Sequence, residues 1–544
     1  MATSIRLRPW QRTALDAFQA QEGPDFLAVA TPGAGKTTFA LTAAAQSLSA
    51  RLTRNVIVVA PTQHLKLQWS EAAARLGLHL DPGWSARDGV LPGDMHGIVT
   101  TYQQVATSAE ALRGLANGAF VILDEVHHAG DDRAWGESVL TAFGGAGKRL
   151  SLSGTPFRSD TSAIPFVDYH LEEARPNFEY GYGDALVDGG VVRPVFFPRV
   201  GGHMEWVTTD GNEVAASFED DLTTQLANQR LRTALSLEGD WLITVLADAN
   251  AQLTALRKTH PNAAGLVIAM DQDHANGIAA LLRQRFRVSA TVAISDDPLA
   301  SLKIARFAQG TDPWIVAVRM VSEGVDIPRL RLGVFATNTT TELFFRQAVG
   351  RFVRWTRGIR SQKAFLYIPD DPRLRLWASG ISEQRRHSLS KRQQDDDFGD
   401  GTEFDDREQL AGQDDDQMSL FEVISATAMD HPESASVFDD DGEDWDAPEE
   451  DGFEISLAVP PPPGASAVGG PGGDGSGLTR AQLKRMLRDQ NAEAVRELVR
   501  FTDWDHKRVN AELNRLSGVA KVTEATAVQL ERRLKEANRW LRRL

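Results

Sequence analysis

The stretch Ala30-Thr31-Pro32-Gly33-Ala34-Gly35-Lys36-Thr37-Thr38 constrains this chain more than any other. An apolar run, Phe26-Leu27-Ala28-Val29, precedes it and the helix-favouring segment Thr38 to Ser49 follows, which predicts a strand turning into a helix. Gly33 and Gly35 allow the backbone to wrap closely around an anion, and the helix N-terminus offers free N–H groups and the positive end of its dipole. Lys36 adds a full charge, Thr37 can place a hydroxyl on Mg²⁺, and Pro32, Ala34 and Thr38 complete the wrap of a nucleotide site. One position departs from the generic phosphate loop, which has Gly where this chain has Ala30.

The chain has 544 residues, which predicts two to four domains. Its formal charge of −16 is a poor match to nucleic acid only until the charge is located. Between Asp395 and Glu454 there are 24 acids against one Arg, while Thr479 to Leu544 holds 16 Lys and Arg against nine acids. The first 394 residues are therefore near neutral. The absence of cysteine excludes disulfides, thiolate zinc sites and iron–sulfur clusters. Met1 to Gln21 lack an apolar core with a cleavage site and no apolar run approaches a membrane span, so no membrane partner is expected. The expected location is the cytoplasm, in association with the nucleoid.

Upstream of the loop lies Leu7-Arg8-Pro9-Trp10-Gln11, where Gln11 could offer a donor and an acceptor to one edge of adenine. Downstream, Val56–Ala60, Ile98–Tyr102, Phe120–Leu123 and Arg149–Leu152 read as buried strands separated by helical stretches, the pattern of a parallel sheet with ligands at its carboxyl edge. Phe120–Leu123 runs into Asp124-Glu125-Val126-His127. Asp124 is placed to hold Mg²⁺ and Glu125 to orient or deprotonate the water that attacks a γ-phosphate. His127 can link nucleotide state to neighbouring segments by hydrogen bonding; with His128 it could alternatively bind a metal. Ser153-Gly154-Thr155 at the end of the next strand can bond the acidic segment and respond to phosphate loss through Ser153 and Thr155.

Ala30 to Thr37 resembles the A-x-x-G-x-G-K-T loop of superfamily 2 helicases, Asp124 to His127 their DExH box, and Ser153 to Thr155 their S-A/G-T motif. Leu7 to Gln11 resembles the entry motif of the XPB-like, RadD-like and restriction-enzyme branches. A second series of buried strands, Leu266–Met270, Thr291–Ile294, Ile315–Val318, Leu332–Phe335 and Phe365–Ile368, contains no second phosphate loop. Within it Ser322-Glu323-Gly324-Val325-Asp326-Ile327-Pro328 resembles the G-x-D-I-P motif, which implies that Gly324 and Asp326 lie near the ribose and the cleft. Gln347-Ala348-Val349-Gly350-Arg351-Phe352-Val353-Arg354 resembles Q-x-x-G-R-x-x-R in every specified position. Gln347, Arg351 and Arg354 are thereby candidate catalytic residues. The two arginines are expected one helical turn apart on one face, reaching across the cleft to the γ-phosphate.

The acid-rich region, with Pro460–Pro463 and a Gly/Ser run, predicts a disordered linker. Inside it Gln417-Met418-Ser419-Leu420-Phe421 resembles the Q-L-S/D-L-F peptide by which bacterial proteins bind the DNA sliding clamp. Helical periodicity returns after Thr479, with breaks at Thr502–Asp505 and Gly518.

The expected fold is α/β: a first RecA-like lobe with its connection over 1–200, a second over 201–385, a disordered acidic linker over 386–478 and a basic helical module over 479–544. The resemblance implies an ATP- and Mg²⁺-dependent DNA helicase or translocase. An RNA helicase, or an ATP-gated adaptor that recruits partners without unwinding, are the alternatives. Candidate nucleic-acid contacts are Pro61-Thr62, Thr100-Thr101, Arg158 and the turn after Val318.

Overall fold

A computed structural model describes residues 3–86, 91–127, 133–154, 164–170, 173–208, 210–294, 297, 299–318, 327–356, 358–359, 362–395, 422–429, 453–462, 480–502, 504–519, 522, 525 and 527–542. The first lobe comprises β1 (Thr3–Leu7), α1 (Pro9–Ala20), β2 (Asp25–Ala30), α2 (Lys36–Ser49), β3 (Val56–Ala60), α3 (Gln63–Arg75), β4 (Leu80–Asp81), β5 (Gly97–Thr101), α4 (Tyr102–Ala116), β6 (Phe120–Leu123), α5 (Arg133–Phe143), β7 (Lys148–Ser153), β8 (Tyr169–His170), β9 (Glu173–Ala174) and β10 (Phe178–Tyr180). Its main sheet is parallel, in the order β10-β2-β7-β6-β3-β5-β4. β3 and β6 are buried along their whole length, which is why they read as unbroken apolar runs. β7 lies between β2 and β6, so three carboxyl ends that are far apart in sequence become neighbours: the phosphate loop, Ser153-Gly154 and Asp124-Glu125.

The second lobe follows with α6 (Tyr182–Asp188), β11 (Val195–Phe196), β12 (Arg199–Val207), β13 (Glu213–Ser217), α7 (Thr224–Ala234), α8 (Asp240–Thr259), β14 (Ala264–Ala269), α9 (Gln272–Phe286), β15 (Ala290–Ala293), α10 (Ala300–Gln309), β16 (Trp314–Ala317), β17 (Leu330–Ala336), α11 (Glu342–Val349), β18 (Ala364–Pro369) and α12 (Pro372–Asp395). Its parallel core, β18-β17-β14-β16-β15, is extended at one edge by β12 and β13. Both lobes are RecA-like. One apolar cluster continues from the first lobe through Tyr180, Leu186 and Val192 into Phe352 and Leu366 of the second. The segment from Tyr182 to Pro194 contains α6 and breaks at Gly189 and Gly190, both at positive φ.

The linker over 386–478 requires a correction. α12 runs on to Asp395, and two strands lie farther along, β19 (Glu422–Met429) and β20 (Phe453–Leu457). β19 pairs antiparallel with β12 of the second lobe and β20 antiparallel with β1 of the first. Acidic composition outweighed a local signal: β-branched residues are concentrated in Val423-Ile424-Ser425-Ala426-Thr427, and Ile455 and Leu457 recur at the period of a strand. Leu457 is buried in the first-lobe core, Ser49 donates to the carbonyl of Ala458, and His96 Nε2 lies 2.7 Å from the carbonyl of Pro460. Leu457→Ala is expected to destabilise the first lobe by about 2 kcal/mol or more, read as a lowered urea midpoint; an unchanged midpoint would contradict this docking.

After 479 stand α13 (Arg480–Phe501), α14 (His506–Ser517) and α15 (Ala527–Leu541), packed on Val495, Leu498, Val509, Leu513 and Ala537. Gly518 caps α14 in the left-handed region, with φ 69°. The fully buried Arg533 donates to the side-chain oxygens of Asn491 (2.9 Å), Asn510 (2.6 Å) and Asn514 (2.8 Å), which joins all three helices. Among the described residues no helix is long and apolar enough to cross a membrane.

Candidate functional site

The phosphate loop leaves β2 at Ala30, which is buried against the core, so the position admits a small side chain and does not need Gly. Gly33 and Gly35 hold φ of 88° and 98°, a region that disfavours side chains. A Cβ on Gly35 would lie 2.7 Å from Gln11 Nε2. The loop's carbonyls are tied to one side: Arg8 Nη1 donates to Gly33 (3.2 Å) and Ala34 (3.0 Å), Trp10 Nε1 to Ala34 (3.1 Å), and Gln11 Nε2 to Gly35 (2.9 Å). Ala34 N–H donates to the Thr31 carbonyl at 3.1 Å, and with the carbonyls fixed on the α1 side the other loop amides can serve as an anion nest. Gln11 was expected to meet adenine; here its amide also accepts from the Arg8 N–H (2.8 Å) and so braces the loop, with one donor and one lone pair left over.

Asp124 and Glu125 follow β6. Trp69 Nε1 donates to Asp124 Oδ2 at 2.7 Å and the Tyr102 hydroxyl to the Asp124 backbone carbonyl at 2.9 Å, so this residue is held at both its side chain and its main chain. Glu125 has φ 46°, unusual for a residue with a side chain. Its Oε1 lies 3.0 Å from Lys36 Nζ, and its Oε2 accepts from the Gly154 N–H at 3.1 Å and lies 3.8 Å from His127 Nδ1. Burial, and then the neighbouring Glu125, push Asp124 up to about 6. Burial pushes Glu125 the same way but is overcome by Lys36, His127 and the Gly154 amide, which bring it down to about 2. Two carboxylates thus divide the work: one keeps its charge on Lys36, and the other holds a proton more readily.

The second lobe meets this site directly. Gln347 Nε2 lies 3.1 Å from His127 Nε2. Gly350 packs so closely on Pro32 that an added Cβ would lie 2.7 Å from the proline Cγ, and a Cβ on Gly33 would lie 3.1 Å from Arg354 Cδ and 3.3 Å from its Nη1. The expectation of Arg351 and Arg354 on one helical face is corrected. α11 ends at Val349 with Gly350 as its cap; Arg351 lies in the following turn, and Arg354 in an extended bridge to Val192. Phe352 and Val353, between the turn and the bridge, are both buried.

Ser153 is buried at the end of β7, paired with Val29 at the root of the loop. Pro32, Lys36, Thr37 and Thr38 line the loop and the first turn of α2. Thr155, Arg158, Gly324, Asp326, the turn after Val318 and Gln417, Met418, Ser419, Leu420 and Phe421 lie outside the described residues. Of the candidate nucleic-acid hydroxyls, Thr62 caps α3 by accepting from Leu65 N–H, and Thr101 caps α4 by accepting from Gln104 N–H. Those hydroxyls are committed to local structure. Sequence reasoning missed Arg8, Trp69 and Tyr102. Arg8 stood inside the entry motif, whereas Trp69 and Tyr102 look like ordinary core aromatics and gave no signal.

The residues fit a Mg²⁺-nucleotide: a loop whose two positive-φ glycines leave no room for a side chain, a lysine at its edge, and oxygen donors from Thr37 and Asp124 of the kind a hard cation takes. Residues 4–158 match the family described as Type III restriction enzyme, res subunit. Over 392 residues the chain is 45% identical to Uncharacterized protein Rv2917 of Mycobacterium tuberculosis strain H37Rv, and 44% identical to Uncharacterized protein ML1624 of Mycobacterium leprae strain TN. Each match covers 71% of this chain and 65% of the relative, so the chain spans just under two thirds of their length. Among solved structures it is similar to the ATP-dependent Type ISP restriction-modification enzyme LlaBIII bound to DNA, with TM-score 0.46 and 17% identity over 71% of this chain and 30% of that one. It is also similar to S. cerevisiae Dbp5 bound to RNA and ADP BeF3, with TM-score 0.41 and 13% identity over 70% and 87%.

Proposed function

We propose that this chain is a superfamily 2 helicase that hydrolyses ATP across its two lobes and uses lobe closure to move on DNA. The observation that carries the reading is the position of Arg354 against Gly33, beside the Gln347–His127 bond: the second lobe sits on the phosphate loop of the first. In this reading the loop amides, Lys36 and Thr37 bind the triphosphate. Thr37 and Asp124 would hold Mg²⁺, which would supply charge neutralisation to the phosphates. Glu125 orients the attacking water. As the water oxygen bonds to the γ-phosphorus, the bond to the ADP oxygen breaks, and the water's proton passes to Glu125. Lys36 cannot serve the phosphates and Glu125 equally; its transfer to phosphate raises the basicity of Glu125 at the moment a base is needed. Arg351 and Arg354 stabilise charge on the transferring group, and Gly324 and Asp326 contact the ribose side. Ser153, Thr155, His127 and Gln347 transmit phosphate loss to the lobe contact.

Protons and Mg²⁺ compete for Asp124, whose pKa near 6 leaves it protonated below that pH. The Mg²⁺ concentration for half-maximal turnover is expected to rise as pH falls through 6, and to be flat above 7; a pH-independent Mg²⁺ requirement would remove Asp124 from this role. DNA rather than RNA is favoured by the Gln417–Phe421 peptide. Replacing Gln417, Leu420 and Phe421 together by Ala is expected to abolish pull-down by a bacterial sliding clamp while leaving ATPase activity intact; retained pull-down would rule the peptide out. Strand displacement tests the function as a whole. Displacement of a DNA strand with ATP is expected, whereas displacement confined to RNA duplexes would make it an RNA helicase. Nucleotide-dependent binding without displacement or translocation would make it an adaptor.

A further inference from the structure

Arg193 lies in the link between the lobes and is completely buried. Its Nη2 donates to the Pro328 carbonyl (2.7 Å) and to the Thr356 hydroxyl (3.1 Å), and its Nη1 to the Leu330 carbonyl (3.3 Å). Its own N–H donates to the Val353 carbonyl at 2.8 Å, and the preceding Val192 forms the bridge to Arg354. Pro328 is the last residue of the Ser322–Pro328 motif. Thr356 stands two residues beyond Arg354, and is itself pinned by Gln362, whose Oε1 accepts from Thr356 N–H (3.0 Å) and whose Nε2 donates to its carbonyl (2.6 Å). Thr356 also donates to the Pro328 carbonyl at 3.3 Å, which closes a ring of contacts.

A buried guanidinium bonded to neutral acceptors bears a desolvation cost that an apolar side chain of similar volume avoids. Arg331 adds to it by repulsion. What Arg supplies in exchange is a planar fork that reaches two chain segments, Pro328–Leu330 and Thr356, at fixed angles. We infer that Arg193 is a positioning residue, which fixes the backbone around Arg354 and joins it to the end of the Ser322–Pro328 motif, so that Arg354 meets the phosphate loop only when both segments are in register. The inference rests on the proposed two-lobe ATP site. The Tyr182 hydroxyl extends the arrangement into α6, donating to the Arg193 carbonyl (3.2 Å) and accepting from Val195 N–H (2.9 Å), so the hinge and the Arg354 strand are one hydrogen-bonded unit.

The test is a double-mutant cycle on the full chain, read as ATP turnover with single-stranded DNA present. Arg193→Gln is expected to lower kcat about tenfold or more with the ATP KM within about twofold, since positioning a transition-state contact affects kcat rather than uniform binding. Thr356→Val, which removes one prong without leaving a buried charge unpaired, is expected to do the same to a smaller extent. In an Arg354→Ala background neither substitution should reduce turnover further. Full additivity in that background would overturn the inference, as would an unchanged kcat in either variant that folds. Should Arg193→Gln fail to fold, Thr356→Val decides by the same criterion. A native chain with no DNA-stimulated turnover would fail the two-lobe reading itself, and Arg193 with it; a stimulated native chain with an additive cycle fails the Arg193 inference alone.

Discussion

Replacing Glu125 by Gln is expected to reduce ATP turnover about 10²- to 10⁴-fold while nucleotide binding persists. The amide keeps the volume and can still accept from the Gly154 N–H, so the acidic segment retains its shape. It cannot take a proton from water, and it no longer competes for Lys36, which sits 3.0 Å from Oε1 in the native chain. Affinity for a fluorescent ATP analogue should therefore be unchanged or improved. Near-normal turnover would refute the assignment of Glu125 as the base. Loss of binding together with turnover would show that the Lys36–Glu125 pair holds the loop together.

Arg354→Ala is expected to lower kcat by about 10³-fold, the scale of an arginine supplied to a transferring phosphoryl group. The side chain lies over Gly33, on the loop itself, and it comes from the other lobe. Its loss should leave ATP binding by the first lobe largely intact, because the amide cradle, Lys36 and Thr37 are untouched. Arg354→Lys should recover little of the activity, since an ammonium lacks the planar fork. If Arg354→Ala instead weakens ATP binding with kcat unchanged, the residue is a ground-state contact and closure is not coupled to chemistry.

The parallel cores were legible because strands buried on both faces appear as apolar runs; Val56–Ala60 and Phe120–Leu123 have in the structure the bounds their sequence implied. That the phosphate loop, the acidic segment and Ser153-Gly154 share one edge was legible too, since a parallel sheet puts ligands at its carboxyl edge; the Lys36–Glu125 pair and the Gly154 N–H bond to Glu125 were not. Local pattern did not reveal what long-range contacts decide. The turn after Gly350 exists because Arg354 pairs with Val192, a partner 162 residues upstream in sequence. β20 forms because β1 offers an edge more than 400 residues upstream, and average acidity concealed the alternation of Ile455 and Leu457. Gln11 illustrates a further limit. A free amide and one that braces a loop look alike in sequence, and only the 2.9 Å contact with Gly35 distinguishes them.

Phosphate release by the full chain at saturating Mg²⁺-ATP, measured with and without single-stranded DNA and beside Lys36→Ala, tests the central claim most directly. A two-lobe nucleic-acid motor predicts turnover that DNA stimulates and that Lys36→Ala abolishes in both conditions. Turnover indifferent to DNA, or persisting without Lys36, would contradict it.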